Sequence, residues 1–217
     1  GSYADGSPVA SAWTKWGCCG RYTGYSVGPI NFPMPYWRLS SFYFFYFAVL
    51  GALVPYWGLY LKSLGYSALE IGQLMAIPMA TKIIAPNIWG WIGDHYGHRM
   101  RIVRIASFAS MLIFTMIFLV QGFWMLASAM IMFSFFLNAS LTQFDVTTLA
   151  YLGKQVNRYS RSRLWGSIGF ILTVMSLGAL IDVYGIYLVP SVIFFIYLSI
   201  WLASMTVPEV ATATGEQ

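Results

Sequence analysis

Three ionisable residues fall within or at the edge of long apolar runs: Lys82, Asp145 and Arg163. A charge at the centre of a bilayer costs about 2.5–3.5 kcal/mol on insertion scales, so each is a functional candidate. Arginine presents a fixed, always-charged fork that suits a carboxylate or the oxygens of a solute. Asp145 is a carboxylate that can pair with Arg163 and release it on taking up a proton or when a solute arrives. Asn138 and Gln143 lie on the same run as Asp145, and Thr142, Thr147 and Thr148 add to its polarity. That stretch is too polar to face lipid and must face protein or a water-filled cavity. Two readings of the pair remain: a solute-linked ion pair, or a positive anchor (Arg163) beside a fixed bundle salt bridge (Asp145). Lys82 has three possible roles: binding an anionic solute, neutralising Asp145, or reaching toward the interface.

A second cluster, GWIGDHYGHRMRIVR from Gly90 to Arg104, concentrates charge between two apolar runs. Its spaced residues are Gly90, Asp94, Gly97, Arg99 and Arg101. In a membrane protein this is a short loop, and its glycines let neighbouring helices approach closely. A gating role is the favoured reading. His95 and His98 lack a supporting Cys, Asp or Glu cluster beyond Asp94 and read as loop residues, so no metal is expected. No predicted span contains histidine and no G-x-S-x-G elbow occurs, which argues against an intramembrane enzyme. No cofactor is expected either.

These residues require long helices to position them. The chain of 217 residues is 59% hydrophobic and 9% charged, with mean hydropathy +0.67. A soluble domain carries roughly 25% charged residues, so the solvent here is lipid. Crossing it takes about 20 apolar residues per helix. Six spans are predicted, at about 39–61, 68–93, 102–120, 123–149, 164–181 and 186–207. Ser67 with Glu70 predicts a capping box at the second. Arg99, Arg101, Arg104, Lys154, Arg158, Arg161 and Arg163 fall in the 2–3 and 4–5 loops. Lys62 alone falls in the other three. That bias places both termini in the cytoplasm and accounts for the net charge of +5 without nucleic acid. The adjacent Cys18 and Cys19 say nothing of redox compartment.

An internal repeat supports the same arrangement. Gly90–Gly97 and Gly178–Gly185 both read G-x-x-x-D-x-Y-G, at the ends of the second and fifth spans. Copies on opposite faces are what a 3+3 inverted repeat would leave. The expected fold is therefore an all-α membrane protein of six transmembrane helices in a 3+3 inverted repeat. Composition changes at Met34: residues 1–33 are expected to be non-native or disordered sequence ahead of a start there. Residues 34–207 form the bundle, and 208–217 begin a central cytoplasmic loop.

The Gly90–Arg101 pattern resembles the loop between helices 2 and 3 of the major facilitator superfamily, with His95 where that family usually has Arg or Lys. The run from Arg161 to Phe170, RSRLWGSIGF, resembles the start of helix 5 in the lactose permease group. SFYFF near the start of the first span is similar as well. The resemblance implies that Asp145 and Arg163 are a carboxylate–arginine pair that binds substrate, with Phe170 at the position of a substrate-stacking aromatic. TKIIAPNIWGWIGD, with Lys82, is closer to the phenylpropionate-permease and nucleoside:proton symporter-like branch. The resemblance further implies the N-terminal half of a secondary transporter whose C-terminal six-helix half is missing. It would move a small organic solute (aromatic acid, nucleoside or sugar-like) with protons, in a bacterial-type inner membrane. The alternative is a non-transporting scaffold or a channel-like six-helix protein.

Overall fold

The computed structural model describes residues 36–119, 122–152 and 156–208. The segment 1–33, Met34, Lys154 and the tail 209–217 lie outside the described residues, as does the side chain of Arg158. Among the described residues, six helices are long and apolar enough to cross a membrane. They are α1 (Tyr36–Ser63), α2 (Ala68–Tyr96), α3 (Arg99–Thr115), α4 (Phe123–Leu152), α5 (Val156–Tyr184) and α6 (Val189–Thr206). A 3-10 turn, Met116–Phe118, extends α3, and another, Ile186–Leu188, leads into α6.

The predicted capping box is present. Ser67 Oγ accepts from the Glu70 amide while the Glu70 carboxylate accepts from the Ser67 amide, so orphan donors at the start of α2 are satisfied. Pro55, Pro78 and Pro86 sit inside helices. Thr81 Oγ1 donates to the carbonyls of Ile77 and Pro78, which satisfies its hydroxyl within its own helix. The fifth helix starts eight residues earlier than its apolar run suggests, at Val156 rather than 164. No Gly or Pro interrupts 156–165, so the basic stretch read as a loop continues the helix.

Packing follows the inverted repeat. α1 packs mainly on α5 and α6; α4 packs mainly on α2 and α3. Exchanging helices 1, 2, 3 for 4, 5, 6 maps one set of neighbours onto the other. Both copies of G-x-x-x-D-x-Y-G end a helix. Gly97 (φ 69°) and Gly185 (φ 84°) both have positive φ, the first alone in the left-handed helical conformation, and their amides donate to the Gly93 and Ile181 carbonyls. The seam between α1 and α5 needs small residues. A Cβ at Gly169 would stand 3.0 Å from the Phe44 carbonyl carbon, and one at Gly51 only 2.7 Å from the Phe170 carbonyl oxygen.

Aromatic rings fill the centre. Phe42 stacks on Phe144 with centroids 3.8 Å apart, and Phe114 meets Phe133 and Tyr197. α2 and α5 bury least, 17% of each span against 56% of α4, so each leaves one broad face without a neighbouring helix. At the end of α6, Arg38 Nη1 donates to the Thr206 carbonyl, Arg104 Nη2 to that of Val207 and Arg104 Nε to that of Ser204. Two cations thus satisfy orphan carbonyls at the negative end of a helix dipole.

Candidate functional site

The polar face of α4 is built into the protein, as its composition requires. Asn138, Ser140, Gln143, Thr147 and Thr148 are all buried, and Asp145 is half-buried. Asp145, Gln143 and Asn138 go to three different places.

The first is a carboxylate cluster where α1, α4 and α5 meet. Tyr43 Oη donates to Asp145 Oδ1 at 2.6 Å. Arg163 Nη1 donates to Tyr159 Oη at 3.0 Å, with the guanidinium 5.6 Å from the Tyr159 ring centroid. The expected direct ion pair between Asp145 and Arg163 is not formed. The reason is local: Tyr159 lies one turn before Arg163 on α5 and takes the guanidinium itself. The Tyr159 ring packs edge-on against that of Tyr43, with centroids 6.4 Å apart, which brings the two hydrogen-bonded pairs side by side. Tyr43 and Tyr159 were not singled out from sequence. The i, i+4 spacing of Tyr159 and Arg163 was a usable signal; the partnership of Tyr43 spans 102 residues and left none. Phe170 lies about two turns beyond Arg163. It is half-buried, with its carbonyl against Gly51 rather than gathered with Asp145. Trp165, from the same motif, ties α5 to α1 by donating Nε1–H to Tyr36 Oη at 3.2 Å.

The second is a latch at the 2–3 loop. Asp94 and Arg99 form an ion pair, and Arg99 Nη1 donates to Gln143 Oε1 at 3.0 Å. Gln143 Nε2 donates in turn to the Trp89 carbonyl. Gln143 is fully buried against Gly93, where a Cβ would lie 2.7 Å from its Cδ. Gln143 therefore belongs with Asp94 and Arg99, away from Asp145. Gly97 caps α2 within this group, Gly90 is half-buried, and Arg101 is exposed.

The third is a cavity between α1, α2 and α4. Lys82, at the middle of α2, lines it together with Asn138, Ser134, Trp57 and an apolar wall that includes Tyr46, Met79 and Phe133. Asn138 Nδ2 donates to Thr81 Oγ1 at 3.2 Å. Lys82 and Asn138 are thus brought together, and apart from Asp145. Among the described residues no carboxylate lies within ion-pair distance of Lys82.

A bundle with a hydrogen-bonded carboxylate, an arginine held by a tyrosine and a lysine in an apolar cavity can bind and release a solute. Comparison with known proteins points the same way. Residues 36–217 match the family described as MFS_1 like family. The maltose permease of Geobacillus stearothermophilus is 28% identical over 199 residues, covering 91% of this chain and 45% of that protein. An Escherichia coli (strain K12) protein named "Probable 3-phenylpropionic acid transporter" is 24% identical over 152 residues, covering 67% of this chain and 38% of that protein. The crystal structure of the nucleoside transporter NupG superposes with a TM-score of 0.74 at 19% identity, over 84% of this chain and 47% of that one. That likeness concerns the fold. The chain spans less than half the length of each of these relatives. Its six-helix inverted repeat, its 2–3 loop and the match over 36–217 together show that this chain belongs to the MFS_1 like family of major facilitator transporters, with the helix arrangement of their N-terminal half.

Proposed function

We propose that this chain is the N-terminal half of a secondary active transporter that carries a small organic solute together with protons, by alternating access. The observation that carries this reading is the Asp145 cluster. A carboxylate accepts a hydrogen bond from Tyr43 on α1, and the Tyr43 ring packs against Tyr159, which holds Arg163 on α5. A proton arriving on Asp145 removes the negative charge that helps hold Arg163. The guanidinium is then free to offer its fork to acceptor oxygens of the solute, and loss of the proton reverses the exchange. The least-buried faces, on α2 and α5, are where a second six-helix half would rock against this one. The Asp94–Arg99–Gln143 latch holds the loop end of α2 against α4 in one of the two states. Asp145, Arg163, Phe170, Lys82, Asn138 and Gln143 are the residues on which solute recognition and its coupling would depend. Gly90, Asp94, Gly97, Arg99 and Arg101 would form the gate. The charge bias favours a cytoplasmic location for both termini in a bacterial-type inner membrane.

The named relatives divide between a sugar, an aromatic acid and, by fold, a nucleoside. The test is uptake by the transporter that contains this chain, in membrane vesicles with an imposed proton gradient. Arg163→Lys keeps the charge and loses the fork, so it is expected to abolish gradient-driven uptake with expression intact. Near-normal uptake and affinity in that variant would reduce Arg163 to a topology signal. Absence of uptake by the parent protein across sugars, nucleosides and acids would favour a scaffold.

A further inference from the structure

We infer that the cavity between α1, α2 and α4 is a subsite for the carboxylate of an organic acid with an apolar body, with Lys82 as the counter-charge. This deepens the transport reading by naming the class of solute, and it rests on that reading only for the step of translocation. Trp57 is 1% exposed and its indole N–H has no hydrogen-bond partner; Ser134 is 2% exposed and its hydroxyl has none either. A buried donor left unpaired costs about 1–3 kcal/mol, so two on one cavity point to something that engages them. Lys82 adds an ammonium from α2 without a carboxylate partner among the described residues. The indole and the ammonium only donate, so the cavity offers donors in excess of acceptors. A sugar hydroxyl needs both donors and acceptors; a carboxylate needs donors alone.

Size agrees with this assignment. The cavity is open on the side of Lys82, which is exposed, and its inner space is about 40 Å³, the room of about three waters, enough for a carboxylate and the first carbons behind it. The remainder of the lining is apolar, from Leu53, Met75, Met79 and Phe133 among others, and it suits an aryl or alkyl body. Lysine at the middle of a span is expensive to insert, and replacing it with an apolar residue removes that cost. Lys82 is therefore a binding residue whose loss does not weaken the bundle.

The test measures binding to the full chain in lipid nanodiscs, with benzoate, phenylacetate and 3-phenylpropionate as probes, each against its neutral amide. At least one acid is expected to bind, with its amide at least about tenfold weaker, the effect of one lost charge-assisted hydrogen bond. Lys82→Met should weaken the acid at least about tenfold while its unliganded Tm stays level or rises. Lys82→Arg should retain most of the affinity. Trp57→Phe keeps an aromatic ring of smaller volume and loses the N–H, so it should weaken the acid several-fold more than its amide, a ratio that gives a second readout should Lys82→Met insert poorly. Equal binding of acid and amide, unchanged affinity in Lys82→Met, or no binding by any of the three acids would overturn the assignment. A protein that takes up a neutral solute yet binds no acid keeps the transport reading and loses this one. A protein that binds acids but moves none keeps the site and loses transport.

Discussion

Gly93→Ala is the sharpest probe of the latch. The new methyl would stand 2.7 Å from both Cδ and Nε2 of Gln143. A glutamine tip is flexible enough to move aside, but this one is 0% exposed and engaged at both ends. Moving it forfeits the bond to the Trp89 carbonyl, about 1 kcal/mol, and that from the Arg99 guanidinium, about 1.5–3 kcal/mol. The expected destabilisation is therefore about 2.5–4 kcal/mol, set against almost nothing for the same change at Gly90, whose Cβ would meet no atom within 4 Å. The assay is a double-mutant cycle on the purified protein, with unfolding followed for Gly93→Ala, Gln143→Ala and both together. Gln143→Ala removes the obstructing amide, so Gly93→Ala in that background should cost less than about 0.5 kcal/mol, leaving a coupling energy of at least about 2 kcal/mol. Additive losses, or a Gly93→Ala protein as stable as its parent, would show that the latch is not built as described.

Two further outcomes test the cluster and the orientation. Tyr43→Phe removes the hydroxyl that donates to Asp145 at 2.6 Å, and gradient-driven uptake should fall about tenfold or more while solute exchange without a gradient persists; equal loss of both would mean that Tyr43 serves packing alone. With Cys18 and Cys19 replaced by serine, Leu119→Cys should react with an impermeant reagent from outside intact cells and Ser160→Cys should not; the opposite pattern would invert the orientation inferred from Lys and Arg.

The architecture was legible because it rests on long, redundant signals. Six apolar runs became six helices among the described residues, Ser67 with Glu70 the cap of α2, and the shared G-x-x-x-D-x-Y-G two helix ends that each close on a glycine of positive φ. The site was legible only in part, because its pairings cross the chain. Gln143 and Asp145 stand two apart on α4 and so project to different sides of it, which the helical period implied; what it could not name was the partner each would meet. For Gln143 it is set by Gly93, which leaves the space that the Gln143 amide fills. Arg104 read as a topology charge, since the carbonyls it serves lie 100 and 103 residues away. The early start of α5 was missed because hydropathy marks where a helix enters lipid, and the helix itself continues into water for as long as nothing breaks it.

The clasp that Arg38 and Arg104 place on the end of α6 has a mechanical consequence. A helix end ordinarily frays under load, because its last carbonyls are bonded to nothing but water. Here a pull on the chain beyond Val207 is received by three hydrogen bonds rooted at the starts of α1 and α3. These bonds join the end of α6, in the second three-helix repeat, to α1 and α3 in the first. Any segment attached at this point has, in effect, a handle on the whole bundle.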